Sequence, residues 1–296
     1  MTPDIARATA IRSSLIDSVA RVDLRVRDIH AAVAFYTDVV GLEIAELDGN
    51  SATLRSPGGP AVLHLDSAGV TSTADPHATG LFHTAFRFPT RAALGDALAR
   101  VVHAELELGA GDHLVSEALY VDDPDGNGVE LYWDRPVDEW PAPSQDALVP
   151  MATLPVALDG LYEAGRGEAA IAEQAPHGTD VGHVHLQVSD VEQTSHFYVD
   201  VLGLDLTARL GDSAAFLSSK GYHHNIGANA WRSRGGKAAA RDRAGLERVV
   251  FGASDLDELK LLARRLSDDG WPASIGSDRI TVLDPDGIEL QFHLID

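Results

Sequence analysis

The sequence predicts an α+β fold of four βαβββ modules, which pair to form curved, mixed β-sheets around a metal-binding cavity. One observation is a repeat, because FYTDVVGLEI at residues 35–44 returns as FYVDVLGLDL at residues 197–206. Another is DDPDGNGVELYW at residues 122–133, which LDPDGIELQF echoes at residues 283–292. A unit of this size cannot bury a core alone, so the modules are expected to fold in pairs.

The first module starts where apolar and charged residues alternate, over residues 19–26, which is typical of a half-buried strand. Apolar residues at helical spacing then predict a helix over residues 29–40, with Gly41 as its C-cap. Residues 1–18, before this module, have the composition of a weakly specified leader. Three further strands complete the βαβββ pattern, at residues 43–47, 52–55 and 61–65.

The second module repeats this order, with a strand at residues 81–88 and a helix at residues 91–103. The sequence DPDG before its last strand is a turn, because proline presets φ and glycine accepts positive φ. Glu130 follows inside an apolar strand, where a carboxylate is costly to bury unless a cation compensates it. The later strands of this module are expected at residues 105–108, 117–121 and 129–133.

The second half of the chain carries the other two modules. Residues 135–180 contain six prolines and one short helical stretch at residues 158–164, and they read as an ordered linker. The third module begins at Val181, and the fourth spans residues 245–293. The predicted division is an N-terminal domain of residues 1–134, the linker of residues 135–180 and a C-terminal domain of residues 181–296.

Composition excludes several classes of function. The 296 residues include no cysteine, so thiolate metal sites, disulfides and cysteine nucleophiles are ruled out. A formal net charge of -22 makes nucleic acid and anionic membrane surfaces poor partners. No apolar run approaches the length of a membrane-spanning helix. Arg7 and Arg12 lie near the N-terminus without an apolar signal core after them, so a cytoplasmic protein is expected.

Three side chains form the candidate metal site. His83 and His183 occupy similar positions in the strands predicted at residues 81–88 and 181–188, and Glu130 lies in a third strand. A lone histidine in a strand is more often a hydrogen-bonded interior residue. Two histidines and one carboxylate on one face, however, leave three metal positions open, an arrangement that suits Fe(II), with Mn(II) as a substitute.

The positions without ligands predict how the modules pair. The first module has Arg21 where the third has His183, and the fourth has Arg248 where the second has His83. The fourth module is expected to keep Glu289 as its acidic residue. We therefore predict that the second module pairs with the third around a complete site. The first and fourth modules would then hold a structural site, in which Arg21 or Arg248 neutralises Glu289.

The alternative is pairing within each half of the chain, because sequence neighbours often pair. That arrangement would bring the second module together with the first and leave its two ligands, His83 and Glu130, without His183.

The motifs are similar to those of the vicinal oxygen chelate superfamily, which includes glyoxalases, fosfomycin and bleomycin resistance proteins and extradiol dioxygenases. The chain most resembles the two-domain bacterial catechol 2,3-dioxygenases, from about residue 19 to the C-terminus. The resemblance rests on five motifs: GLFHTAF (80–86), DHLVSEALY (112–120), DPDGNGVELYWDRP (123–136), GHVHLQVSD (182–190) and GYHHNIG (221–227).

The resemblance implies which side chains bind the metal. Strand alternation turns His183, His185 and Gln187 toward the cavity. In the family the first histidine of this strand is the ligand, which assigns His183 to the metal and leaves His185 on the cavity wall. The implied set is therefore His83, Glu130 and His183 around Fe(II).

The resemblance also implies catalytic residues. The histidine pair of GYHHNIG is expected to include the acid–base residue, with His224 preferred and His223 second. Asn225 departs from a third histidine seen in many relatives. His113 and Tyr120 match positions that hydrogen-bond the substrate oxygens or oxygen itself.

The implied function is extradiol cleavage of a catechol by O₂, which gives a muconic semialdehyde-type product. The partners would be a small catechol and O₂, and many relatives form homo-oligomers. One alternative is a metal-dependent isomerase or epimerase of glyoxalase type, whose sites usually use a second carboxylate or a glutamine. Another is a non-enzymatic binding protein of bleomycin-resistance type, which needs a groove lined by aromatic residues and no metal.

Overall fold

Four βαβββ modules make up the protein in a computed structural model, which describes residues 13–171 and 173–295. Arg7 and Arg12, and most of the predicted leader, lie outside the described residues. Within the described ranges, no helix has both the length and the apolar character needed to span a membrane.

The first module follows the predicted order. Asp28 caps its helix, because its carboxylate accepts hydrogen bonds from the amides of His30 and Ala31. A π-helical turn at Tyr36–Val40 continues the helix to Gly41, whose φ of 90° favours glycine. The elements are β1 (Ser18–Arg25), α1 (Ile29–Phe35), β2 (Glu43–Asp48), β3 (Ser51–Arg55) and β4 (Ala61–Asp66).

The second module corrects one prediction. No strand forms at residues 105–108, because Glu105 has a φ of 54° and the amides of residues 105 and 106 bond back to the carbonyls of Val102 and Val101. These residues complete the C-terminal turn of the helix, and the strand starts at Gly109. The elements are β5 (Gly80–Arg87), α2 (Arg91–His103), β6 (Gly109–Asp112), β7 (Ser116–Asp122) and β8 (Gly128–Asp134).

The linker contains α3 (Leu158–Ala164), at the residues predicted, and two short 3₁₀ turns at Val137–Glu139 and Gly167–Ala170. The third module consists of β9 (Asp180–Gln187), α4 (Val191–His196), a π-helical turn at Phe197–Val201, β10 (Asp205–Leu210), β11 (Ala214–Ser218) and β12 (Ile226–Asn229). The fourth consists of β13 (Gly245–Ala253), α5 (Leu256–Asp268), β14 (Ala273–Ile275), β15 (Arg279–Leu283) and β16 (Glu289–Leu294).

Strand pairing joins the modules across the two halves of the chain. β5 runs antiparallel to β9, from Gly80 opposite Gln187 to Arg87 opposite Asp180. β1 pairs with β13 in the same antiparallel manner. The predicted pairing of the second module with the third, and of the first with the fourth, is therefore confirmed, and the alternative within each half is wrong. The main path of the sheet is β14-β15-β16-β13-β1-β9-β5-β8-β7-β6.

The register of the first–fourth pair corrects a second prediction. His83 lies opposite Gly128 between β5 and β8, and Arg248 lies opposite Glu289 between β13 and β16. Glu289 therefore occupies the position of Gly128, and the residue that matches the carboxylate of β8 is Gln291. The two DPDG turns have equal lengths, so the motifs align without a gap, and the Glu-Leu pair of one motif is not equivalent to that of the other.

The first and fourth modules, which pair with each other, have ion pairs at the positions where the second and third modules have the candidate triad. Arg248 Nε lies 2.7 Å from Glu289 Oε1, as predicted for neutralisation of this carboxylate. Arg21 Nε lies 2.6 Å from Asp23 Oδ1, and Arg248 reaches the same carboxylate at 3.6 Å. Asp23 is buried, and these two arginines are its ion-pair partners.

This contact leads to a prediction about stability. The variant Arg248→Ala should lower the free energy of unfolding by about 1–3 kcal/mol, because it leaves buried Asp23 less compensated. Urea unfolding measures the change, and metal analysis of the same sample should give unchanged metal content. Loss of metal from this variant would contradict a purely structural role.

Candidate metal centre and active site

Three adjacent strands bring the predicted ligands together. β5 lies between β9 and β8, and these strands carry His83, His183 and Glu130. Glu130 Oε2 lies 2.8 Å from Nε2 of His83 and 3.0 Å from Nε2 of His183. All three residues are buried, with at most 5% of the surface of each residue exposed. Residues 83, 130 and 183 thus converge from two modules on one point.

The chemistry of these donors fits a divalent metal. Burial is the main cause that lowers the pKa of His183, to about 4, so its imidazole is neutral and offers a lone pair. His83 Nε2 is buried beside the carboxylate without the geometry of a hydrogen bond. A carboxylate buried between two imidazoles calls for a cation. Two histidines and one carboxylate could bind a divalent metal and leave further positions open.

The two neighbouring histidines of β11–β12 have different environments. His224 lines the cavity, and its ring centroid lies 4.1 Å from that of His183. His223 is fully buried and packs against Tyr222, with ring centroids 4.0 Å apart and the rings tilted by 35°. His224 is therefore the member of the pair that faces the cavity.

A hydrogen-bond chain links both rings to the carboxylate of Asp134. Nε2 of His223 lies 2.9 Å from Oδ1 of Asp134, and the carboxylate can only accept, so this nitrogen carries a proton. In a neutral His223, Nδ1 is then an acceptor, and it lies 2.7 Å from Nδ1 of His224. His224 therefore donates from Nδ1, which leaves the lone pair on Nε2.

The charges of His224 and Asp134, the two ends of this hydrogen-bond chain, follow from their surroundings. Burial, followed by the neighbouring histidines, lowers the pKa of His224 well below its ordinary value, so the ring is neutral. Burial acts to raise the pKa of Asp134, but hydrogen bonds from His223 and Tyr222, with Arg87 nearby, hold it below the usual value. A neutral imidazole backed by a carboxylate is suited to accept a proton.

A second hydrogen-bond pair lies on the other side of Glu130. Tyr120 is directly opposite Glu130 in the β7–β8 ladder. Nδ1 of His113 donates to the carbonyl of Ala152 at 2.8 Å, so its Nε2 accepts from the hydroxyl of Tyr120 at 2.6 Å. Burial and the charge of Glu130 raise the pKa of Tyr120 well above its ordinary value, and the hydroxyl stays protonated.

Two further residues complete the site, and the sequence did not single out the first of them, Asp134. Asp134 follows the motif that carries Glu130, but it lies 89 residues from His223, so their contact could not be read from the chain. His185 faces the cavity as predicted, and among the described residues its buried Nε2 has no hydrogen-bond partner. Gly227 gives its ring room, since a Cβ there would lie 2.8 Å from the ring.

The triad opens into a cavity of about 780 Å³. His83, Glu130 and His224 line it together with the Tyr120–His113 pair. Two of the predicted ligands, His83 and Glu130, thus share one cavity with the predicted catalytic residues His113, Tyr120 and His224.

The chain belongs to the Glyoxalase/Bleomycin resistance protein/Dioxygenase superfamily, whose sequence profile matches residues 16–131 and 180–292. It is 36% identical to the catechol-2,3-dioxygenase of Bacillus subtilis (strain 168) over 264 residues, which cover 88% of this chain and 92% of that protein.

Solved structures agree with the fold. The crystal structure of a Bacillus subtilis subsp. subtilis str. 168 protein, assigned provisionally to the dioxygenases, superimposes with a TM-score of 0.61 and 14% identity. That match covers 96% of this chain and 86% of the other. Glyoxalase I from Zea mays superimposes with a TM-score of 0.55 and 14% identity, over 94% of this chain and 92% of its own.

Proposed function

We propose that this protein is an extradiol dioxygenase, which uses O₂ to cleave the ring of a catechol next to its two hydroxyl groups. The observation that carries the proposal is the geometry of the cavity, where a buried His-Glu-His triad faces a neutral histidine with a free Nε2. The similarity to a catechol-2,3-dioxygenase supports the same reaction.

In this proposal His83, Glu130 and His183 hold Fe(II), for which Mn(II) is a substitute. When bound, Fe(II) supplies adjacent open positions for a diol and O₂, and electron transfer between them. The protein supplies a buried site that fixes the diol and excludes bulk water. The Tyr120 hydroxyl, which stays protonated, can donate to a substrate oxygen in place of His113.

His224 is the proposed acid–base residue. Its Nε2 accepts a proton from a catechol hydroxyl, and its Nδ1 keeps its hydrogen bond to His223. Asp134 stabilises the positive charge that then develops, because it accepts from the far side of His223. The same Nε2 returns the proton when the ring opens. Such a group contributes about 10²–10⁴ to the rate.

The experiment that tests the function is anaerobic reconstitution with Fe(II), followed by addition of a catechol and air. We expect oxygen uptake together with a yellow ring-opened product. Bound iron without oxygen uptake on any catechol would contradict the dioxygenase and favour an isomerase of glyoxalase type. A chain that binds no metal would contradict both enzymes and favour a small-molecule-binding protein.

The role of Asp134 gives a separate prediction. The variant Asp134→Asn should bind iron normally but lose turnover at least about tenfold, because an amide can donate to His223 and reverse the tautomers of the pair. Steady-state kinetics and metal analysis on one preparation measure this. Asp200→Asn is the matched control, since Asp200 also pairs with a histidine, His196, but on the surface. Equal turnover of the two variants would argue against the hydrogen-bond chain.

A further inference from the structure

We infer that the substrate is a catechol with a bulky, uncharged, apolar substituent, an inference that rests on the proposed function. The cavity of about 780 Å³ is several times larger than a single ring requires. An engineered cavity of about 150 Å³ already holds benzene. An unsubstituted catechol at the triad would therefore leave most of this space unfilled.

The wall of the cavity has the chemistry of an apolar binding site. Beside the triad and its neighbours, it is formed mainly by aliphatic and aromatic side chains, including Leu106, Val121, Met151, Ala208, Phe216 and Trp231. The rings of Phe82 and Trp231 are 5.3 Å apart at their centroids and meet edge to face. Walls of this kind bind aryl and alkyl groups by burial of apolar surface.

The charged groups of the wall disfavour an anionic substituent. Arg232 offers a cation, but Asp122 and Glu107 accompany it on the same wall. The three groups interact: burial raises the pKa of Asp122, Arg232 acts to lower this pKa, and Glu107 acts to raise it. Two carboxylates beside one guanidinium leave no net positive charge for a substrate carboxylate. The net charge of -22 acts in the same direction.

The linker closes one side of this space. Met151, Ala152 and Thr153 line the cavity, and an isolated β-bridge between Asp112 and Leu154 holds this segment against β6. The carbonyl of Ala152 also accepts from His113. Because the linker is anchored beside His113, its side chains contribute a fixed wall to the cavity.

The test compares 3-phenylcatechol and 4-phenylcatechol with catechol and 3,4-dihydroxyphenylacetate on the Fe(II)-loaded protein. We expect kcat/KM to be at least about tenfold higher for one of the phenylcatechols than for catechol, because a buried phenyl group gains apolar contacts. The carboxylate-bearing compound should be the poorest. A kcat/KM for catechol equal to or above those of both phenylcatechols would overturn the inference, and so would a preference for the carboxylate.

A second readout does not depend on catalysis or metal. By calorimetry, the metal-free protein should bind 2-phenylphenol or 4-phenylphenol at least about tenfold more tightly than phenol. If no catechol supports oxygen uptake but this preference is found, the proposed function fails, and only the preference of the cavity for an apolar substituent stands. If oxygen uptake occurs without either preference, the proposed function stands and the inference fails.

Two variants that fill part of the cavity test where the apolar substituent binds. Met151→Trp reduces the volume from the linker side, and Ala208→Leu reduces it from β10. Each should lower the ratio of kcat/KM for the preferred phenylcatechol to that for catechol by about tenfold. Val137→Trp is the control, because Val137 belongs to the same linker but is 73% exposed. An unchanged ratio in both cavity variants would overturn the inference.

Discussion

Replacing Glu130 with glutamine should abolish stoichiometric iron binding and, with it, ring cleavage. The glutamine has nearly the shape of the glutamate, but it removes the one anionic ligand from between His83 and His183. Loss of residues that only support metal ligands costs about 10–100-fold in metal affinity, so loss of a ligand should cost at least as much. Metal analysis after anaerobic reconstitution measures iron per chain, and oxygen uptake measures activity. His83→Ala and His183→Ala should behave in the same way.

The other module pair provides a control within the same chain. Gln291 occupies the position in β16 that Glu130 occupies in β8, and by the same register Arg248 occupies the position in β13 that His83 occupies in β5. Gln291→Ala should therefore retain iron and turnover. Circular dichroism of each variant shows whether the fold is intact. Stoichiometric iron in a folded Glu130→Gln variant would exclude this carboxylate from the metal site.

The sequence contained enough information to predict the pairing of the modules. Arginines at residues 21 and 248, where a complete site needs histidines, left ligands in the second and third modules alone. The β5–β9 and β1–β13 ladders agree with that reasoning. Ligand types recur at fixed positions of a repeat, and this regularity made a long-range contact visible without coordinates.

Other features depended on local backbone geometry that residue patterns do not encode. Glu105 and Leu106 have the composition of a strand, but the end of α2 uses their amides in its closing turn. Glu289 looked equivalent to Glu130 because both precede leucine, although the register separates them by two residues. The similar letters of the two motifs suggested an alignment with a gap, but the equal lengths of the two turns require an alignment without one.

Contacts between side chains that are far apart in the sequence also could not be predicted. Asp134 and His223 meet only because β8 and β12 flank the central β5–β9 pair. The sequence located both histidines of the GYHHNIG motif, but it could not decide which one faces the cavity. That decision follows from burial, since His223 is enclosed by Tyr222 and Trp140.

The second large effect is expected at His224. His224→Ala should keep bound iron and lose about 10²–10⁴ in kcat, because it removes the cavity-facing nitrogen that accepts and returns the catechol proton. Iron content and kcat are measured on the same reconstituted sample. The pH dependence of the remaining activity should also lose the limb that reports the protonation of this group.

His223→Ala distinguishes the two histidines. It should reduce kcat less than His224→Ala, because His224 keeps its place on the cavity wall and loses only the acceptor of its Nδ1 proton. Combining the two substitutions should cost little more than His224→Ala alone, since His223 and Asp134 act through that ring. If His223→Ala instead abolishes turnover while His224→Ala does not, the proton passes through His223, and the assignment of the cavity-facing ring as acid–base residue is wrong.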